Sequence, residues 1–180
     1  METLKSKFMS DKRYKIGAAA VLAVIVILIL FKACSGAGSR TMEGAVEKYY
    51  DAVTDKDGKD YLNITLSDSL MKAVKEKADY TTEEMEEKME DEIESKYGDF
   101  SKVKGIEVRD MQAAGSAQLE EMMESIKKGS GVDVKISEMH QVEVSFQYLD
   151  ADNEEWKEEE EDLVVYKSGS RWYVLPAGIF

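Results

Sequence analysis

The hydrophobic positions of this chain fall into three regimes. Ile16 to Phe31 reads IGAAAVLAVIVILILF, sixteen residues with no charge, no polar side chain and no proline. From Met42 to about Lys128, apolar residues recur mainly with a helical period, interrupted by one short alternating stretch. From Val132 onward they recur at every second position, the period of a strand with one buried face.

Met42, Ala45, Val46, Tyr49 and Val53 form one apolar face of a first helix that runs to about Thr54. Asp55-Lys56-Asp57-Gly58 favours a turn, and a short helical turn follows near Lys59 to Leu62. Ser67 fits the N-cap of a second helix, Asp68 to about Ala78, with Leu70, Met71 and Val74 inward. Thr81 opens a third. Thr81 with Glu84 has capping-box spacing, and Tyr80 with Met85 has hydrophobic-staple spacing. Met85, Met89 and Ile93 give that helix a narrow apolar stripe, and Gly98 reads as its left-handed cap. A fourth helix runs from Ser116 to Lys128, with Leu119, Met122, Met123 and Ile126 on one side.

Val103 to Met111 alternates as a strand, with Ile106 and Val108 set against Glu107 and Arg109. Val132, Val134, Ile136, Val142, Val144, Phe146 and Tyr148 share one parity across seventeen residues, which predicts one long strand. Asp150-Ala151-Asp152-Asn153 turns it into a second, Glu155 to Tyr166. Ser168-Gly169-Ser170 then leads into Arg171 to Leu175, closed by Pro176. Helices first and an antiparallel meander after them predict the α+β class, with helices covering one face of the sheet.

The apolar run covers roughly 24 Å as a helix, against a hydrocarbon core of about 30 Å. Lys5, Lys7, Lys12, Arg13 and Lys15 precede it, opposed only by Glu2 and Asp11. The positive-inside rule keeps such a flank cytoplasmic and delivers everything after Cys34 across the membrane. The expected organisation is a basic segment 1–15, a transmembrane anchor 16–34, a linker 35–40 and one extracytoplasmic domain 41–180. A cleaved signal peptide with its small-residue site at Ser35 to Gly38 is one alternative. A lipoprotein modified at Cys34 is the other. Phe31 and Lys32 depart from a lipobox, which takes Leu three before the cysteine and a small residue two before it.

Charge sharpens this picture. The chain has 24 basic and 37 acidic residues, a formal net charge of −13. Residues 1–34 carry +4, leaving −17 on residues 35–180. A domain this acidic repels nucleic acid and anionic head groups, and it favours a cationic or envelope protein as partner. Cys34 is the only cysteine, so the domain has no internal disulfide, which points to a bacterial surface rather than a secreted animal domain.

Two stretches carry a family resemblance. Val46-Glu47-Lys48-Tyr49-Tyr50-Asp51-Ala52 with Asp55-Lys56-Asp57 resembles the opening of nuclear-transport-factor-2-like domains. Val164-Val165-Tyr166-Lys167-Ser168-Gly169-Ser170-Arg171-Trp172-Tyr173-Val174 resembles their closing hairpin. The resemblance spans Thr41 to Pro176. It implies a curved antiparallel sheet wrapped on helices, a cone open at one end. Such a cone holds a ligand or an active site in some relatives. In others it is filled by side chains, and the outer sheet face binds partners.

Candidate chemistry is sparse. His140, the only histidine, shares parity with Val142, Val144 and Phe146, and the resemblance makes it a candidate general base inside the cone. Trp172 and Tyr173 are adjacent on the last strand and must face opposite ways, so both are candidates for partner binding if one face is left open. Asp150, Asp152, Glu154 and Glu161 stand at positions 1, 3, 5 and 12 of a calcium-loop count, but Glu155 occupies the place where the loop needs glycine. Asn63-Ile64-Thr65 matches a glycosylation sequon. One histidine and one membrane-proximal cysteine do not make a zinc site, and no motif calls for a cofactor. The expected function is therefore a membrane-tethered, non-catalytic binding or assembly domain in a bacterial envelope, secretion or transfer context. The alternative is a small enzyme built around His140.

Overall fold

A computed structural model describes residues 37–175. The apolar run Ile16 to Phe31, Cys34 and Pro176 lie outside the described residues, so the anchor, lipidation and cleavage readings rest on sequence. Among the described residues no helix is long and apolar enough to cross a membrane.

The described chain is α+β: five helices and a four-stranded sheet. Thr41 caps α1 (Met42–Asp55), its hydroxyl accepting from the Gly44 N–H at 3.0 Å, and the helix ends on Lys56 at φ 52°. Asp57 caps α2 (Gly58–Thr65) through the Asp60 N–H at 2.9 Å. That element is eight residues long where a single turn was expected. In α3 (Asp68–Ala78) the buried residues are Leu70 and Ala73, while Met71 and Val74 are half-buried. Ser67 makes no capping bond there. Its N–H donates instead to the buried Tyr166 hydroxyl at 2.9 Å.

The capping box of α4 (Thr82–Tyr97) closes in both directions. The Glu84 N–H donates to Thr81 Oγ1 at 3.2 Å, and the Thr81 N–H donates to Glu84 Oε2 at 2.8 Å. The two residues of the staple pair differ in burial. Tyr80 is 40% exposed beneath the Lys88 ammonium, while Met85 is buried. Gly98 is right-handed at φ −54°, against the expected left-handed cap. Glycine is needed there for space: a Cβ would meet the Glu94 carbonyl oxygen at 2.5 Å.

The strands β1 (Phe100–Ala113), β2 (Glu138–Asp150), β3 (Trp156–Ser168) and β4 (Arg171–Leu175) pair in chain order, all antiparallel. The helix α5 (Ser116–Ser130) is inserted between β1 and β2. Residues 37–40, read from the sequence as linker, join the fold. Ser39 exchanges backbone hydrogen bonds with Trp172 at 2.7 and 2.8 Å, which covers part of the outer edge of β4.

Two apolar cores lie on opposite faces of the sheet. The first joins Val142, Val144, Phe146, Leu163, Val165 and Val174 to the buried face of α1, with Tyr61, Ile93 and Tyr97. The second joins Tyr166 and Tyr173 to Leu62, Leu66, Leu70, Leu119 and Ile126. Helices therefore cover both faces at the β3–β4 end, not one. The seventeen-residue strand is corrected accordingly. Residues 132–137 are irregular and β2 begins at Glu138. Val134 and Ile136 enter the second core, whereas Val142, Val144 and Phe146 enter the first. The chain leaves α5 on one side of the sheet and must change sides before it can pair, which interrupts the alternation at Glu138 and Met139.

Candidate functional site

Strand pairing builds the site around His140. His140 lies opposite Ala113 of β1, while Asp110 lies opposite Val142 three residues before the strand ends. The Asp110–Gln112 irregularity leaves Met111 unpaired and brings the Asp110 carboxylate beside the imidazole, Oδ2 at 3.0 Å from Nδ1. The His140 side chain is 17% exposed and that of Asp110 52%. Trp172 meets the imidazole edge-on, ring centroids 5.6 Å apart. The Lys167 ammonium stands 5.4 Å from the Trp172 ring centre and pairs with Glu138 at 2.5 Å. A carboxylate on Nδ1 can fix the tautomer and leave Nε2 as the proton acceptor, the arrangement a general base needs.

Tyr173 sits apart from this group. It is buried in the second core, stacked on Tyr166 at 5.2 Å, with its hydroxyl 3.4 Å from the Ala37 carbonyl oxygen. Trp172 and Tyr173 do face opposite ways, as strand geometry requires. Both faces at β4 are covered, so no open patch exists at Tyr173.

The largest buried polar constellation lies elsewhere, at Glu161. On β3 it shares parity with Leu163 and Val165, so its side chain enters the first core, 17% exposed. The Tyr50 hydroxyl donates to Glu161 Oε2 at 2.9 Å and the Tyr97 hydroxyl to Oε1 at 2.8 Å, while the Lys96 ammonium pairs with Oε1. Tyr97 has spent its proton on the carboxylate, so it accepts from the Tyr49 hydroxyl at 2.9 Å. The ring of Tyr61 packs on Tyr49 at 5.3 Å. Burial pushes all four phenols upward, Tyr61 to about 12. The aromatic rings fill the space between α1, α4 and the sheet. Every donor around the carboxylate is already engaged, which makes the group a fixed hydrogen-bonded network.

The calcium count places its members in different structures. Asp150 closes the β2–β3 turn, Oδ1 accepting from the Asp152 N–H at 2.9 Å and the Asn153 N–H at 3.2 Å. The Lys157 side-chain bond to its other oxygen holds the Asp150 carboxyl below the usual range. Glu161 faces the tyrosines. Among the described residues no group of three or more His, Cys, Asp or Glu side chains is placed to hold a metal ion. The sequon is built into α2: Thr65 is buried and its hydroxyl donates to the Tyr61 carbonyl oxygen at 2.6 Å. A glycan on Asn63 would have to grow from packed helix rather than from a loop.

Clefts of about 670, 250 and 140 Å³ open beside α5 or its first turn. His140 lines none of these three. Of the site residues, sequence reading marks Glu161 only as position 12 of the calcium count, and it gives Asp110, Tyr50 and Tyr97 no role in a site. Parity puts Glu161 on the face of Leu163 and Val165, but it puts Glu159 there as well. Asp110 shares parity with Val108, but its place beside His140 depends on the β1–β2 register, which the sequence does not give.

No protein-family model matches the chain, no curated protein is significantly similar to it, and no solved structure resembles it significantly.

Proposed function

We propose that this chain is a membrane-tethered binding or assembly domain, held outside the cytoplasm by a single N-terminal span, with a helix-covered sheet of the nuclear-transport-factor-2-like kind. The observation that carries the reading is the uninterrupted apolar run Ile16 to Phe31 behind a basic flank and ahead of a portion of net charge −17. The aromatic filling of the first core supports a binding role over a pocket enzyme, since the space an interior active site would need is taken by Tyr49, Tyr50, Tyr97 and Phe146. Its acidity favours a cationic protein from the envelope as partner.

Topology is the test. The full chain carrying Cys34→Ser and Asp152→Cys, expressed in bacteria, should react with a membrane-impermeant maleimide in intact spheroplasts, because Asp152 is exposed in the β2–β3 turn. Labelling only after lysis overturns the reading. The intact mass of the native chain separates an uncleaved anchor from a processed signal and from a lipid on Cys34.

The Asp110–His140 contact favours a second reading, a small enzyme with His140 as general base. Turnover of a chromogenic ester, phosphoester or amide by the native chain, lost in His140→Gln, would establish it. Equal turnover by His140→Gln would remove it.

A further inference from the structure

We propose that β1 is a pairing edge for a second copy of this chain, forming an antiparallel β1–β1 contact with Val108 on the twofold axis. The sheet ends in two different ways. The outer edge of β4 is occupied at Trp172 by the backbone of Ser39. The outer edge of β1 has no strand beside it among the described residues. With the short β4 edge partly covered, β1 is the long unpaired edge among the described residues, and pairing two such edges about a twofold closes as a dimer.

Bulges restrict where that pairing can form. Irregularities between Lys104 and Glu107 and between Asp110 and Gln112 leave Glu107, Val108, Arg109 and Asp110 as the regular ladder in the middle of the strand. Gly105, at φ +65°, belongs to the first irregularity, and a Cβ there would meet nothing within 4 Å. The second leaves Met111 53% exposed.

Within the ladder, symmetry selects the register. Residues directly opposite each other in an antiparallel pair point to the same side of the sheet. In an isologous pair they must therefore have the same parity, which places one residue opposite its own copy. Centring on Glu107, Arg109 or Asp110 sets like charges against each other on the axis, which is destabilising. Centring on Val108 sets two β-branched side chains together on the face that packs against the first core. It also sets each Glu107 opposite the other copy's Arg109, twice, on the outer face. Both side chains are available for this: Glu107 is exposed, and Arg109 is 79% exposed while touching Glu143 at 2.9 Å.

The experiment uses the full chain purified in detergent, with Cys34→Ser to remove the native thiol. Cysteine at Val108 should give a disulfide-linked dimer under mild oxidation, because the two Cα atoms would lie about 5 Å apart, within disulfide reach. Cysteine at Ser101, on the same strand but outside the proposed contact, should crosslink at least tenfold less. Glu107→Arg should lower the dimer at least tenfold, and Glu107→Arg with Arg109→Glu should restore it. Equal crosslinking at Val108 and Ser101 overturns the proposal, as does a double exchange that fails to restore what the single change removed. Should Val108→Cys fail to fold, light scattering decides on the native chain and the two charge variants. A monomeric native chain overturns the contact, and a dimer lost and regained with the charges supports it.

Discussion

Raising the pH should unfold this domain through its buried tyrosines, over a narrow range. Tyr49, Tyr50, Tyr61, Tyr97 and Tyr166 are all buried, and burial raises each phenol above its ordinary value, Tyr61 to about 12. In the unfolded chain the same groups release their protons near 10. Above that value the unfolded state binds fewer protons than the folded state, so stability falls as pH rises. Each tyrosine that the fold keeps protonated costs about 1.4 kcal/mol for every pH unit above 10. Five together remove about 7 kcal/mol by pH 11, as much as the whole stability of many domains, about 5–15 kcal/mol. Tyrosinate absorbance and far-ultraviolet circular dichroism, followed in one titration, should therefore change together near pH 11 for these five residues. Tyr61→Phe removes one titrating group and should reduce the steepness by about a fifth. Ionisation of all five while the dichroism stays native would refute the argument, because it would mean their hydroxyls reach solvent in the folded state.

The network at Glu161 makes a second prediction: Glu161→Ala leaves the Tyr50 and Tyr97 hydroxyls without their acceptor. It should cost about 3 kcal/mol in urea unfolding, and a cycle with Tyr97→Phe should give a coupling above about 0.5 kcal/mol. At β4, Tyr173→Ala should cost about 3–5 kcal/mol because the ring is buried. Trp172→Ala, at a half-buried ring, should cost roughly half that, and a Trp172→Ala chain as stable as the native one would mean the first core does not depend on it. Gly58→Ala should lower the melting temperature, since its Cβ would fall 2.3 Å from the Glu86 carbonyl oxygen where α2 crosses α4. About 1–3 kcal/mol is expected, and an unchanged melting temperature would mean the helices can part without cost.

Much of the fold was legible because its signals are local. The Thr81 capping box, the Asp55–Gly58 turn and the helix ends near Ala78 and Lys128 depend on residues within one turn of each other, and each stands close to where the sequence puts it. What failed depends on partners far away in the chain. Tyr80 has staple spacing with Met85, but only Met85 is buried in the second core, while Tyr80 stays 40% exposed. Val132, Val134 and Ile136 share the parity of Val142, Val144 and Phe146, yet parity carries a face only along an unbroken ladder. The chain changes sides before Glu138. The acidic run of β3 shows the reverse case. A calcium-loop count puts Glu161 in line with the turn residues, whereas the ladder continues unbroken from Trp156 to Ser168. There parity does hold. Glu158, Glu159, Glu160 and Asp162 are exposed, and Glu161 alone is drawn under Tyr50 and Tyr97. Parity would also send Glu159 to that face, so alternation by itself does not choose between the two. The choice falls to reach: only Glu161 lies where hydroxyls from α1 and α4 can satisfy a carboxylate withdrawn from water. In a chain this acidic, the density of carboxylates says little about where a site is. The informative acid is the one that the register turns inward and a donor set from distant elements is waiting to meet.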